Sequence, residues 1–255
     1  MLSNWIGLGM MVRREIERMN SAVIQTLVTP WISALLYIFI FGRVVGSQIT
    51  IPGDYTYIDF VLPGILMMNL ISSSFAHTSF SVYFARFTKN VEELLVAPLS
   101  YWEIIFSYTI GGIIRGLAVG AGIYVIAILF SAATINHLGL FLFYSIAVSA
   151  IFSLAGIVVG LWAKSFEQLS VLSVFLFTPL TFLGGVFNSI DLFPEQLQQL
   201  IRLNPFFYFI SGIRYSMIGV QESNQFGGVV LILILLIGFG FFVRSLFQRG
   251  YGIRV

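Results

Sequence analysis

Few residues in this chain have types and spacing suited to chemistry. The only histidines are His77 and His137, and there is no cysteine. No H-E-x-x-H, no G-x-S-x-G and no thiolate cluster occurs, so a metal nest or a seryl or cysteinyl nucleophile lacks its parts. The phosphate-cradling loop G-x-x-x-x-G-K-S/T is missing too, so the chain alone is not expected to bind ATP in that manner. Glu92 and Glu93 are adjacent carboxylates, but they fall on a short polar stretch where solvated charge is the ordinary meaning. These absences argue against an enzyme: no catalytic residue, no metal ligand and no bound cofactor is expected. Two ionisable groups stand out because their surroundings are apolar. His77 lies in a run with Asn69, Ser72, Ser73, Ser74 and Ser79, where interhelical hydrogen bonding is a commoner role than ligation. Arg115 lies inside an apolar run, where an arginine either snorkels, bonds to carbonyls, or serves a function.

The elements that would position these groups are membrane helices. The 255 residues are 58% hydrophobic and only 9% charged, against about 25% charged in soluble domains. A polytopic membrane protein is the ordinary class that fits. The net charge of +2 gives no reason to expect nucleic acid. The opening MLSNWIGLGMMVRREIERMN is not expected to be a cleaved signal, because its charges follow its apolar residues.

Residues 3–20 predict an amphipathic interfacial helix. Trp5, Leu8, Val12, Ile16 and Met19 share one face, while Arg13, Arg14, Glu15, Glu17 and Arg18 fall elsewhere. Spans are expected at about 22–42, 59–83, 101–130, 139–163, 169–187 and 226–245. Pro30 predicts a kink in the first. The third opens on the capping box Ser100-x-x-Glu103 and would run about 45 Å, past a hydrocarbon core of about 30 Å. Gly112, Gly116 and Gly120 place small residues on one face of it for close helix packing. Residues 84–100 return to water, with a short helix capped by Asn90 and stopped by Pro98. With the N-terminus inside, nine Lys and Arg fall on inner segments against Arg43, Arg202 and Arg214 outside, so both termini are expected in the cytosol. No internal repeat stands out.

The stretch 175–215 is not a simple span. An apolar helix breaks at Gly184-Gly185, a wetter piece with Asn188, Asp191, Glu195 and Arg202 follows, and Asn204-Pro205 restarts an aromatic run ending on Arg214. Non-helical backbone at membrane depth survives only where protein or water covers it. The expected arrangement is a helix that nearly crosses, a dip back over 188–215, and a final helix.

Pro194, then Pro205-Phe206-Phe207-Tyr208, then Arg214 resembles the C-terminal pattern of ABC-2 type permeases. Leu183-Gly184-Gly185-Val186-Phe187, Leu203-Asn204-Pro205 and Ile210-Ser211-Gly212 resemble the YadH-like bacterial inner-membrane group. The resemblance runs over nearly the whole chain, 1–255, as one all-α integral membrane domain. It implies six transmembrane helices, an N-terminal interfacial helix and re-entrant helices between spans 5 and 6. It implies an exporter permease that pairs as a dimer over two copies of a separate ABC ATPase, which carries the ATP and Mg. It also implies a path between protomers walled by spans 1, 2 and 5. The segment 86–100 resembles the family's cytosolic coupling helix, with Arg86, Lys89, Glu92, Glu93, Leu94 and Leu95 as candidate coupling residues. Gly184, Gly185, Asn204, Pro205, Tyr208 and Arg214 are the candidate outer-gate residues. The substrate expected is amphipathic, lipid-linked or drug-like. An ATP-independent secondary transporter is the alternative, weakened because all eleven carboxylates fall in loops, on surface helices or at span ends.

Overall fold

The computed structural model describes residues 5–46, 55–90, 99–130 and 134–252, with only the backbone given for 43–45. Nine helices are labelled here: α1 Trp5–Asn20, α2 Ile24–Gly42, α3 Tyr57–Phe87, α4 Tyr101–Leu129, α5 Leu138–Trp162, α6 Gln168–Leu183, α7 Glu195–Leu203, α8 Pro205–Ile218 and α9 Gln225–Gln248. No strand occurs among the described residues.

Helix α3 is the hub. It is buried nearly all round, including Leu62, Met67, Leu70, Phe75 and Thr78, and it packs against α5, α4, α8, α2 and α6. A helix without a polar stripe belongs inside a bundle or a membrane. Its start is a capping box in which Asp59 accepts from the Thr56 backbone N–H at 2.9 Å and from the Thr56 hydroxyl at 2.6 Å. Its end is Lys89, whose left-handed backbone (φ 60°) stops the helix. The capping box expected at Ser100 and Glu103 is present and opens α4.

Small residues draw α3, α4 and α5 together. A Cβ at Gly112 would collide with Ser153 and Thr78, and one at Gly116 with Ser74 and Ser149. Gly120 is different, since its nearest neighbours, Leu66 and Leu70, stand at an ordinary 3.8 and 3.9 Å. The close approach therefore involves two of the three stripe glycines.

Among the described residues, five helices are long and apolar enough to cross a membrane: α2, α3, α4, α5 and α9. The expected fifth span, 169–187, is the shorter apolar helix α6, which ends at Leu183. At 1.5 Å per residue it covers about 24 Å, less than a hydrocarbon core of about 30 Å. Phe177 on α6 sits edge-on to Phe75 of α3 at 4.9 Å and to Phe152 of α5 at 5.0 Å. Phe152 also meets Phe206 of α8 at 5.3 Å. These rings bind α6 and α8 to the same core.

The kink expected at Pro30 takes a particular form. Ile24–Val28 is π-helical and Thr29-Pro30 follows it. The same device occurs in α6, where Ser173–Phe177 is π-helical and Thr178-Pro179 follows. Proline has no N–H to give and its ring crowds the carbonyl four residues back; a widened turn relieves both. In each case the threonine hydroxyl donates to a carbonyl five residues earlier, Thr29 to Ile24 at 3.2 Å and Thr178 to Ser173 at 2.9 Å. In the sequence the only mark of this local repeat is the shared Thr-Pro pair.

Candidate functional site

The broken stretch after α6 is closed by backbone turns, with the Gly184 N–H donating to the Leu180 carbonyl at 2.8 Å, and by side chains that reach in from other elements. A helix end leaves its last carbonyls without partners, and away from water each orphan costs about 1–3 kcal/mol. Gly185 takes a left-handed turn (φ +89°) that a side chain would strain. Asn204 reaches back to donate its amide to the Leu180 carbonyl at 2.6 Å, while its oxygen caps α8 by accepting from the Phe206 N–H at 3.1 Å. Pro205 takes the first position of α8, where its missing N–H costs nothing. Tyr208 donates to the Arg202 carbonyl at 3.0 Å and so ties α8 to the end of α7.

Arg214 completes the arrangement. The charge count put it on the outer side of the membrane; within the protein it is fully buried, at 0% exposure. Its guanidinium donates to the carbonyls of Gly185 and of Val186, and to Phe60 at the head of α3 at 3.0 Å. It lies 3.8 Å above the Phe60 ring and pairs with Glu222, whose side chain is 5% exposed. One cation thus joins the glycine break, the hub helix, α8 and the loop before α9. The face is tight, because a Cβ at Gly64 would stand 2.8 Å from the Val186 backbone. Tyr57 donates to the Phe187 carbonyl at 3.0 Å, and Phe187 stacks on Phe41 of α2 at 4.3 Å. Beside the Arg214–Glu222 pair opens a cavity of about 420 Å³, lined by Arg202, Phe207, Tyr208, Gln221 and Glu222 among others.

At the other end of the bundle, Arg86 plays an internal part. Its guanidinium donates to the carbonyls of Gly160 at 2.7 Å, Ala163 at 3.1 Å and Gly252. It holds the end of α5 and the chain after α9 against α3. Lys89 is exposed at the helix stop. Glu92, Glu93, Leu94 and Leu95 lie outside the described residues.

Helix α1 was expected to turn Trp5 to the lipid boundary. Trp5 is 75% exposed, and the face toward the protein is Met11, Glu15 and Met19. Glu15 is fully buried, with carboxylate oxygens 3.3 Å from His77 Nε2, 3.6 Å from Arg14 and 3.7 Å from Arg18. Burial alone would raise its pKa; the His77 contact and the Arg18 charge outweigh that and hold it below the ordinary glutamate value. Glu15, Glu103 and Glu222 are buried although they lie on α1, at the start of α4 and in the turn before α9. Sequence periodicity missed the role of Glu15 because it reports only which residues of α1 share a face. The only signal available was His77 on another helix, which no local pattern connects to it.

The sequence matches the ABC-2 type transporter family over residues 7–218. The chain is 38% identical to the "Inner membrane transport permease YadH" of Escherichia coli (strain K12), over 98% of each chain. It is 26% identical to "Nodulation protein J" of Rhizobium leguminosarum bv. trifolii, over 91% of this chain and 89% of that one. It is 32% identical to "Probable multidrug ABC transporter permease YbhR" of Escherichia coli (strain K12), over 61% of this chain and 42% of that one.

Proposed function

The chain belongs to the ABC-2 type transporter family as a membrane permease subunit of an ABC transporter, and on that premise we propose that it exports an amphipathic, lipid-linked or drug-like molecule across a bacterial inner membrane. A separate ABC ATPase, two copies beneath a permease homodimer, supplies the energy and holds the ATP and Mg. Both termini face the cytosol, α6 counts as the fifth of six spans, and α7 and α8 are the re-entrant pair before the last.

The observation that carries this reading is the halted helix α6. It stops short of a full crossing, its end is secured by Asn204 and Arg214, and a polar cavity opens beside Glu222, the partner of Arg214. A plain lipid-embedded anchor has no use for such a break, whose backbone must be satisfied one carbonyl at a time. Helices α2 and α6 share the Thr-Pro widened turn, and both present large apolar side chains outward, including Leu36 and Phe175. That pairing suits two mobile walls of a path between protomers. Exit past the Gly184-Gly185 break makes Gly184, Gly185, Asn204, Pro205, Tyr208 and Arg214 the outer gate.

Coupling falls to the segment 86–100. Arg86 fixes its start to α5 and Ser100 fixes its end on α4, so force on the loop between them reaches both helices. Replacing Glu92 and Glu93 together by Lys should leave the permease inserted and dimeric but weaken co-purification with the ATPase, because misplaced charge at an interface costs several kcal/mol. Export into inverted vesicles should fall with it. Unchanged docking and export would remove the segment from the coupling role.

One observation favours the second reading, an ATP-independent secondary transporter: the buried contact of Glu15 with His77, a pair able to exchange a proton. Its position on α1, at the end of the bundle away from the break, places it off the proposed path. Transport by the isolated chain driven by a proton gradient would decide for it.

A further inference from the structure

Arg115 is used by nothing described so far. It stands midway along α4, about 21 Å from either end at 1.5 Å per residue. It makes no hydrogen bond or ion pair among the described residues, and its Nε is shut away from solvent without a partner. The residue as a whole is only partly buried. A guanidinium stays charged at any ordinary pH and is costly in hydrocarbon, so an unpaired one inside a span calls for a counter-charge.

The neighbours fix where it faces. Helix α1 climbs along α4: Met11 Sδ accepts from Ser107 at 3.6 Å, Arg14 donates to the Tyr108 hydroxyl at 3.3 Å, and a Cβ at Gly111 would stand 2.8 Å from Glu15 Cβ. Higher up, Trp31 of α2 donates to the Val119 carbonyl at 3.1 Å and crowds Gly122. Positions 108, 111, 115, 119 and 122 follow one face at helical spacing. Arg115 lies one turn past Glu15's contact and one turn short of Trp31's. It therefore faces the elbow where α1 ends and α2 begins, at Asn20–Ile24, a stretch whose Asn20, Ser21, Val23 and Ile24 are exposed. Charges here are unbalanced. Arg14, Arg18 and Arg115 stand on this face of the bundle with Glu15 as the carboxylate among them, and Arg14 also has a buried Nε without a partner.

We propose that Arg115 binds the phosphate of a membrane lipid that enters beneath the α1–α2 elbow from the leaflet on which α1 rests. Arginine suits this ligand because its planar fork meets two phosphate oxygens at once. The acyl chains would lie along the exposed apolar flank of α2, at Ile32 and Leu36. The inference needs only that the chain is a membrane protein, so it stands or falls apart from the ATPase partnership.

The test is native mass spectrometry of the delipidated full chain titrated with phosphatidylglycerol, beside a diacylglycerol glucoside that lacks phosphate. The parent should bind phosphatidylglycerol at least tenfold more tightly than the glycolipid. Arg115→Gln should lose that preference and Arg115→Lys should keep part of it. Arg115→Gln should keep the parent's dimer size and melting profile, as no partner within the protein is orphaned; an Arg115→Met variant serves the same comparison if Gln folds poorly. Equal binding of the two lipids by the parent, or a preference unchanged in both Arg115→Gln and Arg115→Met, would overturn the proposal. A resident phospholipid and a phosphate-bearing cargo are separated by turnover with the ATPase present: a resident lipid stays bound, and a cargo is exchanged.

Discussion

Thr29 and Thr178 occupy equivalent places in two helices that share little sequence. Each precedes a proline, follows a π-helical turn, and donates its hydroxyl to a carbonyl five residues back. A widened turn stabilised this way is a point where a helix can bend without losing its polar bonds. Replacing Pro30 or Pro179 by Ala should restore ordinary helical bonding and stiffen the helix. Insertion and dimer size should be unchanged and export reduced several-fold, the pair of substitutions being worse than either. Vesicle export assays beside circular dichroism would check it; full export from the double variant would deny these turns a working role.

The Arg214–Glu222 pair makes a stability prediction. Removing the guanidinium leaves a buried carboxylate and three carbonyls without their donor, so Arg214→Met should cost about 3–5 kcal/mol. Arg214→Met with Glu222→Gln should recover part of that loss, since the stranded charge is gone. Denaturation of the protein in lipid, run as a double-mutant cycle, measures the coupling.

Docking of α1 should depend on pH with a definite sign. Glu15 titrates below its unfolded value of about 4, so its ionised form favours the docked helix. That contribution is complete above the unfolded value and is lost as pH falls through the lower folded one. The groups facing it are Arg14, Arg18, His77 and, through Arg14, Tyr108. A thiol placed at Met11 should be protected at neutral pH and become reactive after brief exposure to strong acid. In Glu15→Gln the protection should be weaker at neutral pH and should change less with acid.

Topology can be read without background, because the chain has no cysteine. Single cysteines at Gln221 and at Gln248 lie at opposite ends of α9. An impermeant reagent added outside should label the first and spare the second, and a cysteine at Asn90 should behave like the second. Labelling of Asn90→Cys from outside would reverse the orientation.

Much of the architecture was legible because it depends on local quantities. Run lengths of apolar residues mark α3, α4, α5 and α9, the Ser100–Glu103 box marks a helix start, and Gly184-Gly185 followed by Asn204-Pro205 marks a break and a restart. The composition by itself decides for the membrane, since few polar side chains are available to face water over so long a chain. What a given polar residue does is another matter. Arg214 read as an outer-side charge, Arg86 as part of a cytosolic segment and Glu15 as off the apolar face of α1, and none of these readings names a partner, because periodicity reports only a residue's own helix. Their partners are distant in sequence: Phe60 for Arg214, Gly160 for Arg86, His77 for Glu15. The sequence alone therefore determined that the helices exist and roughly where they stop. Only the tertiary structure decided which charges go inside, because a buried charge is stable only when packing delivers its partner, and no residue carries that information by itself.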